Sequence, residues 1–160
     1  MKIAIMAPLV TAIREPQQGG SQAFVADLAR GLTSRGHDVH VYAASGSQIP
    51  GVEVIDTGID PRSLAGTLYR AFGPDKPAAA VAADDGPVAA AEAAFTTAYL
   101  AMQVIRYDVV HNHAFDAPAV RLGTALQAPV VHTLHLPPDQ AVSAAGAVCA
   151  PPGPATRWRA

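Results

Sequence analysis

Residues 24–43, FVADLARGLTSRGHDVHVYA, decide the fold. Phe24, Val25, Leu28, Ala29 and Leu32 recur at three- and four-residue spacings, which marks one apolar face of a helix. Gly36 stands where a left-handed cap ends such a helix. Asp38 to Ala43 (DVHVYA) then alternates as a strand does, with Val39 and Val41 directed one way and His40 and Tyr42 the other. Upstream, residues 2–7 (KIAIMA) form a short apolar run suited to a strand covered on both faces. The loop between them contains Pro8, Arg14, Glu15, Pro16 and the pair Gly19-Gly20. Strand, glycine-bearing loop, helix, glycine and strand make a βαβ unit, so a parallel sheet with a right-handed crossover is expected.

The pattern repeats downstream. Val52 to Ile55 (VEVI) reads as a third short strand, and a short helix is expected from Pro61 to about Phe72. The Pro- and Gly-bearing stretch 73–87 reads as a loop or linker. From Val88 to Arg106 there is no Gly or Pro, and the Ala content favours helix, with Phe95, Tyr99, Met102 and Ile105 as its apolar face. Tyr107 to His111 starts a strand, 117–127 is a helix begun near Pro118, and Pro129 to Thr133 is another strand. From Ser143 the chain (SAAGAVCAPPGPATRWRA) has no usable periodicity. The expectation is therefore one Rossmann-like domain over 1–140, a parallel sheet with helices on both faces, and an irregular tail over 141–160. No helix is expected after the last strand to cover it. The tail reads as the end of a truncated or frame-shifted reading frame, with a natural disordered tail as the bland alternative.

Composition narrows the function. The chain has 160 residues, enough for one core, and a formal net charge of −2 from 11 basic and 13 acidic side chains. That balance gives no nucleic-acid footprint and no acidic interaction tail. A single cysteine, Cys149, excludes an internal disulfide and a cysteine-cluster metal site. The N-terminal apolar run is too short for a signal peptide, and no window has 18 uninterrupted apolar residues. A cytoplasmic protein is expected, with contact at a membrane surface left open.

In an open parallel sheet, ligands lie at the carboxyl ends of the strands, and three groups fall there. Gly19-Gly20 opens the first helix, where bare backbone and unpaired N–H groups suit an anion; a plain structural helix start is the alternative. His111-Asn112-His113 closes the strand DVVH. His111 and His113 share a side, and a histidine there can orient a substrate hydroxyl or take its proton. His111, nearer the buried strand, reads as structural and His113 as functional. Asp116, three residues on, suits a histidine, a sugar hydroxyl or the cap of the next helix. Thr133-Leu134-His135 ends the following strand, with His132 before it, and His135 lies near His113 if the two strands are neighbours. Four histidines at strand ends raise a zinc site. Zinc needs at least three donors at about 2.1 Å, and alternate facing opposes that, so no metal is assigned. Arg14 in the first loop is a candidate for an anionic group, or simply a solvated cation.

In this order, KIAIMAP, the loop ending in GG, FVADLARGLTSRGHDVHVYA, YDVVHNH and PVVHTLH resemble the N-terminal domain of glycosyltransferase family 4 over about residues 1–140. The resemblance implies the N-terminal half of a GT-B architecture, in which two Rossmann-like domains face each other across a cleft. It implies an acceptor-side domain here and a second domain holding most of the sugar nucleotide. Transfer from a UDP-, GDP- or ADP-sugar with retention is implied, with no metal or other cofactor. By the same resemblance Gly19 and Gly20 lie near the donor phosphate and reacting sugar, His113 contacts the donor sugar as the active-site histidine, and His135 lines the cleft. The family pattern T-x-H-G or T-x-H-D reads Thr133-Leu134-His135-Leu136 here, a departure that bears on the loop.

The family's donor-binding basic residues and paired glutamates lie in the second domain, so the 160-residue chain alone is expected to show little or no transferase activity. A nucleotide-sugar donor and a hydroxyl acceptor are the expected partners, with a separately encoded C-terminal half as a further one. Two other readings compete: a stand-alone or partner-dependent sugar- or acceptor-binding module, and half of a GT-B-fold sugar-nucleotide epimerase. An NAD-binding domain fits less well, because GxGxxG is absent after the first strand and Tyr42-Ala43-Ala44 replaces the expected acidic residue.

Overall fold

A computed structural model describes residues 1–64, 85–135, 137 and 140–149. Its elements are β1 (Lys2–Met6), α1 (Gly20–Ser34), β2 (Asp38–Ala43), β3 (Glu53–Asp56), α2 (Asp85–Ile105), β4 (Val109–Asn112), α3 (Ala117–Leu122), β5 (Val130–His132) and α4 (Gln140–Cys149). The five strands form one sheet in the order β3-β2-β1-β4-β5. Every pairing is parallel, with Ile3 opposite Val39 on one side of β1 and opposite Val109 on the other.

Alternation along the strands separates two apolar layers. Ile3, Ile5, Val39 and Val41 pack with Val25, Ala26 and Ala29 of α1. Ala4, Met6, Tyr42 and Val110 face the other way, onto Phe95, Ala98, Tyr99 and Met102 of α2. Helices therefore flank both faces of a Rossmann-like α/β sheet. The fully buried Phe95 alone contributes about 2–3 kcal/mol of apolar burial. Gly36 takes φ +83° just past α1, the left-handed conformation that ends a helix without a Cβ penalty.

Several elements differ from the sequence expectation. α2 includes Asp85, Gly86 and Pro87, inside the stretch read as a loop; the Ala-rich sequence that follows favours helix. The helix expected over 117–127 ends at Leu122 and continues as a 3-10 turn over Gly123–Ala125. The region read as aperiodic from Ser143 is helical to Cys149. Its small residues need no wide apolar stripe: Val142 and Ala145 pack on Val120 of α3. A helix does follow β5, contrary to expectation. The segments expected as a helix after residue 64 and as a linker over 73–84, and the tail beyond Cys149, lie outside the described residues. Among the described residues, no helix is long and apolar enough to cross a membrane.

Candidate active site

The chain order reverses between β1 and β4, and the carboxyl ends of these two strands form the crevice where open α/β sheets bind ligands. The backbone ties this end together. The His113 N–H donates to the Met6 carbonyl at 2.8 Å, the Ala7 N–H to the Tyr42 carbonyl at 2.9 Å, and the Thr133 N–H to the Asn112 carbonyl at 2.8 Å.

His111, Asn112 and His113 leave β4 on alternate sides. Asn112, fully buried, donates through Nδ2 to the Ala114 carbonyl at 2.9 Å and lies 3.0 Å from His132 Nδ1; its Oδ1 accepts the Ala114 N–H at 3.1 Å. On the other side the His111 and His113 ring centroids are 4.0 Å apart. His111 Nε2 meets Thr133 Oγ1 at 2.8 Å. His113 Nδ1 lies 3.0 Å from His135 Nε2, the two rings meeting edge to edge with centroids 5.2 Å apart and planes inclined by 25°. His113 is fully buried, and among the described residues its Nε2 has no hydrogen-bond partner. One proton serves the Nδ1–Nε2 bond. If His113 supplies it, its own Nε2 is an acceptor; if His135 supplies it, His113 Nε2–H is a donor.

Burial, then the neighbouring His111 and His135, pushes His113 down to about 3. His111 is lowered by burial and by His135, His132 by burial and by His111, and His135 by burial. At neutral pH these rings are uncharged. A ring whose conjugate acid ionises near 3 is a weak base, so hydrogen bonding to a hydroxyl fits His113 better than proton abstraction.

Gly19 is the N-cap of α1 and Gly20 its first residue. A Cβ on Gly19 would come within 2.6 Å of Gln22 Oε1, the end of a buried side chain that would have to shift. Among the described residues, a Cβ on Gly20 would meet nothing within 4 Å, so no close contact requires that glycine. One helical turn on, Phe24 reaches the histidines, with its ring 5.6 Å from His113 and 5.5 Å from His135.

The structure thus brings His113 and His135 together, with His111 beside them. Asp116 occupies the N-cap position of α3, but its side chain makes no cap hydrogen bond. Arg14 is exposed on the loop between β1 and α1. His132 belongs to the Asn112 side. Among the described residues, no three His, Cys, Asp or Glu side chains are arranged to hold a metal ion. Sequence reasoning missed Phe24, which it placed on the buried face of α1 although the residue is 48% exposed. It also gave Thr133 and Asn112 no role. The i, i+4 spacing of Gly20 and Phe24 was the signal that ties Phe24 to this end of α1.

Comparison with known proteins adds two findings. The family model described as Glycosyltransferase Family 4 matches residues 18–159. That span includes both glycines and all four of these histidines, omits Arg14 and runs past residue 140. A D-inositol 3-phosphate glycosyltransferase from Acidothermus cellulolyticus is 32% identical over 124 residues, covering 73% of this chain and 25% of that protein. The chain therefore spans about a quarter of the length of the curated relative it matches.

Proposed function

This chain belongs to glycosyltransferase family 4, and on that premise we propose that it is the acceptor-side, N-terminal half of a GT-B enzyme. The enzyme would transfer a sugar from a nucleotide-sugar donor to an acceptor hydroxyl, with retention at the anomeric carbon. The observation that carries this reading is His113, buried at the sheet's reversal point with an Nε2 that has no partner among the described residues. A buried polar atom without a partner costs stability, and a ligand hydroxyl would satisfy it.

In this reading the donor phosphates lie over the start of α1. The unpaired N–H groups of its first turn and the positive end of the helix dipole favour an anion there, and Gly20 leaves the backbone open to close approach. His113 holds a hydroxyl of the donor sugar, and the bond to His135 fixes its ring. Arg14 and Asp116 are the acceptor-side candidates. A second Rossmann-like domain, on the same or a separate polypeptide, completes the cleft and neutralises the leaving phosphate. The relative's name supplies one acceptor to try, D-inositol 3-phosphate.

The test is a titration of the labelled 160-residue chain with UDP-, GDP- and ADP-sugars, and with D-inositol 3-phosphate, followed by NMR. One sugar nucleotide should shift the amides of Gly19 and Gly20 and the ring signals of His113 and His135, with millimolar affinity as befits half a cleft (about −4 kcal/mol). β3 signals should stay in place. Absence of shifts with every donor, or shifts confined to residues away from these four, would overturn the proposal.

A further inference from the structure

Phe24 is out of place as a core residue. Its neighbours Val25 and Ala26 are buried, as is Ala29, whereas Phe24 is 48% exposed. Its ring lies beside two histidines: its centroid is 5.6 Å from His113, at an interplanar angle of 49°, and 5.5 Å from His135, edge-on at 66°. His113 is fully buried although it lies beyond the end of its strand. Its surroundings account for that. His111 covers it from β4 and His135 from the segment after β5. From α1 the group that faces it is Phe24, an uncharged ring.

We propose that Phe24 is a positioning residue of this site: its ring closes the histidine cluster against water from the α1 side and holds the His113–His135 pair in one hydrogen-bonded arrangement, with His113 Nε2 kept for a ligand. The identity of that ligand rests on the glycosyltransferase reading; the role of Phe24 does not. Burial is the largest cause of the depressed His113 ionisation, and removing an apolar cover restores solvation of the charged ring. Phe24 reaches the reacting groups through His113 and His135, so its effect is on their protonation and order.

The experiment is a pH titration of the histidine ring signals in the full 160-residue chain, with His113 assigned through H113Q. Wild type is compared with F24L, F24V and F24A. The wild-type His113 signal should show no protonation down to about pH 5. Its midpoint should rise as the side chain at 24 shrinks, by about one unit or more in F24A, and least in F24L. If F24A does not fold, the order of wild type, F24L and F24V carries the test. Midpoints that do not depend on the size of residue 24 would overturn the proposal. No ligand enters this measurement, so its outcome is independent of whether a sugar nucleotide binds.

Discussion

His113 Nδ1 and His135 Nε2 stand 3.0 Å apart, a bond between two uncharged rings at the ends of neighbouring strands. Truncating His135 leaves the buried Nδ1 of His113 without its partner. H135A should therefore lose about 1–3 kcal/mol of stability, read from urea unfolding, and should weaken sugar-nucleotide binding as the His113 ring loses its orientation. H135Q, which restores a polar reach, should recover part of both. Wild-type stability and binding in H135A would show that the bond is idle.

The same cluster makes stability depend on pH. The folded His113 ionises near 3, well below the usual 6.5 of the unfolded chain. Between those values the unfolded state takes up a proton that the folded state refuses, so stability falls as pH drops below about 6.5. At pH 5 His113 alone should have cost about 2 kcal/mol, with His111, His132 and His135 shifted in the same direction. Urea midpoints at pH 7, 6 and 5 should decline steadily, and H113Q should flatten the decline. A flat wild-type profile would contradict the buried, neutral ring.

The two glycines should separate under substitution. In G19A the new methyl meets Gln22 Oε1, which accepts the Ser21 hydroxyl at 3.0 Å, and Ala is a poor N-cap, so a loss of about 1 kcal/mol is expected. In G20A the methyl meets open space inside a helix, so stability should hold or rise by up to about 1 kcal/mol. G20A should nonetheless weaken sugar-nucleotide binding about tenfold, equivalent to about 1.4 kcal/mol. Unchanged affinity in a well-folded G20A would remove the phosphate from this helix start.

A second polar network can be tested away from the site. The Tyr107 hydroxyl lies 2.6 Å from His40 Nδ1 and 3.0 Å from the Tyr42 hydroxyl, and His40 Nε2 lies 3.2 Å from Asp38 Oδ1 and 3.4 Å from Glu53 Oε2. Burial pushes both tyrosines up, so they keep their protons. In the tautomer that carries its proton on Nε2, the neutral His40 ring donates to a carboxylate and accepts from Tyr107 at Nδ1, and Tyr107 in turn accepts from Tyr42. Y107F removes the middle link and should cost about 1–3 kcal/mol, whereas Y42F removes an end and should cost about 1 kcal/mol. A double-mutant cycle by urea unfolding should show coupling between them; strict additivity would dissolve the network.

The sheet was legible in the sequence because its strands are short, apolar and separated by strong helix periodicity. DVHVYA matches β2 residue for residue, and the alternation placed Val39 and Val41 opposite Tyr42 correctly. The shared side of His111 and His113 followed from the same period of two. The meeting of His113 with His135 could be stated only as a condition, since strand adjacency is a tertiary fact. Phe24 was misread because periodicity reports apolar faces without saying which edge residue turns toward a site. The helix Gln140–Cys149 was missed because small residues carry little moment; among the described residues, Val142 and Ala145 pack on Val120 of the preceding helix.

Of the five strands β1 comes first in the chain, yet it sits in the middle of the sheet. One edge pairs with β2 soon after synthesis, while the other waits for β4; Lys2 and Asp108, bonded at the start of that seam, are 106 residues apart in the chain. Closing so long a loop is expected to be the slow, non-local step of folding. Until it closes, a nascent chain displays its most apolar strand with one bare edge, a template for unwanted pairing. The Met6–His113 backbone bond belongs to this late seam. The candidate crevice is therefore expected to be among the last parts of the molecule to form, and a chaperone that shields β1 would be guarding the future site.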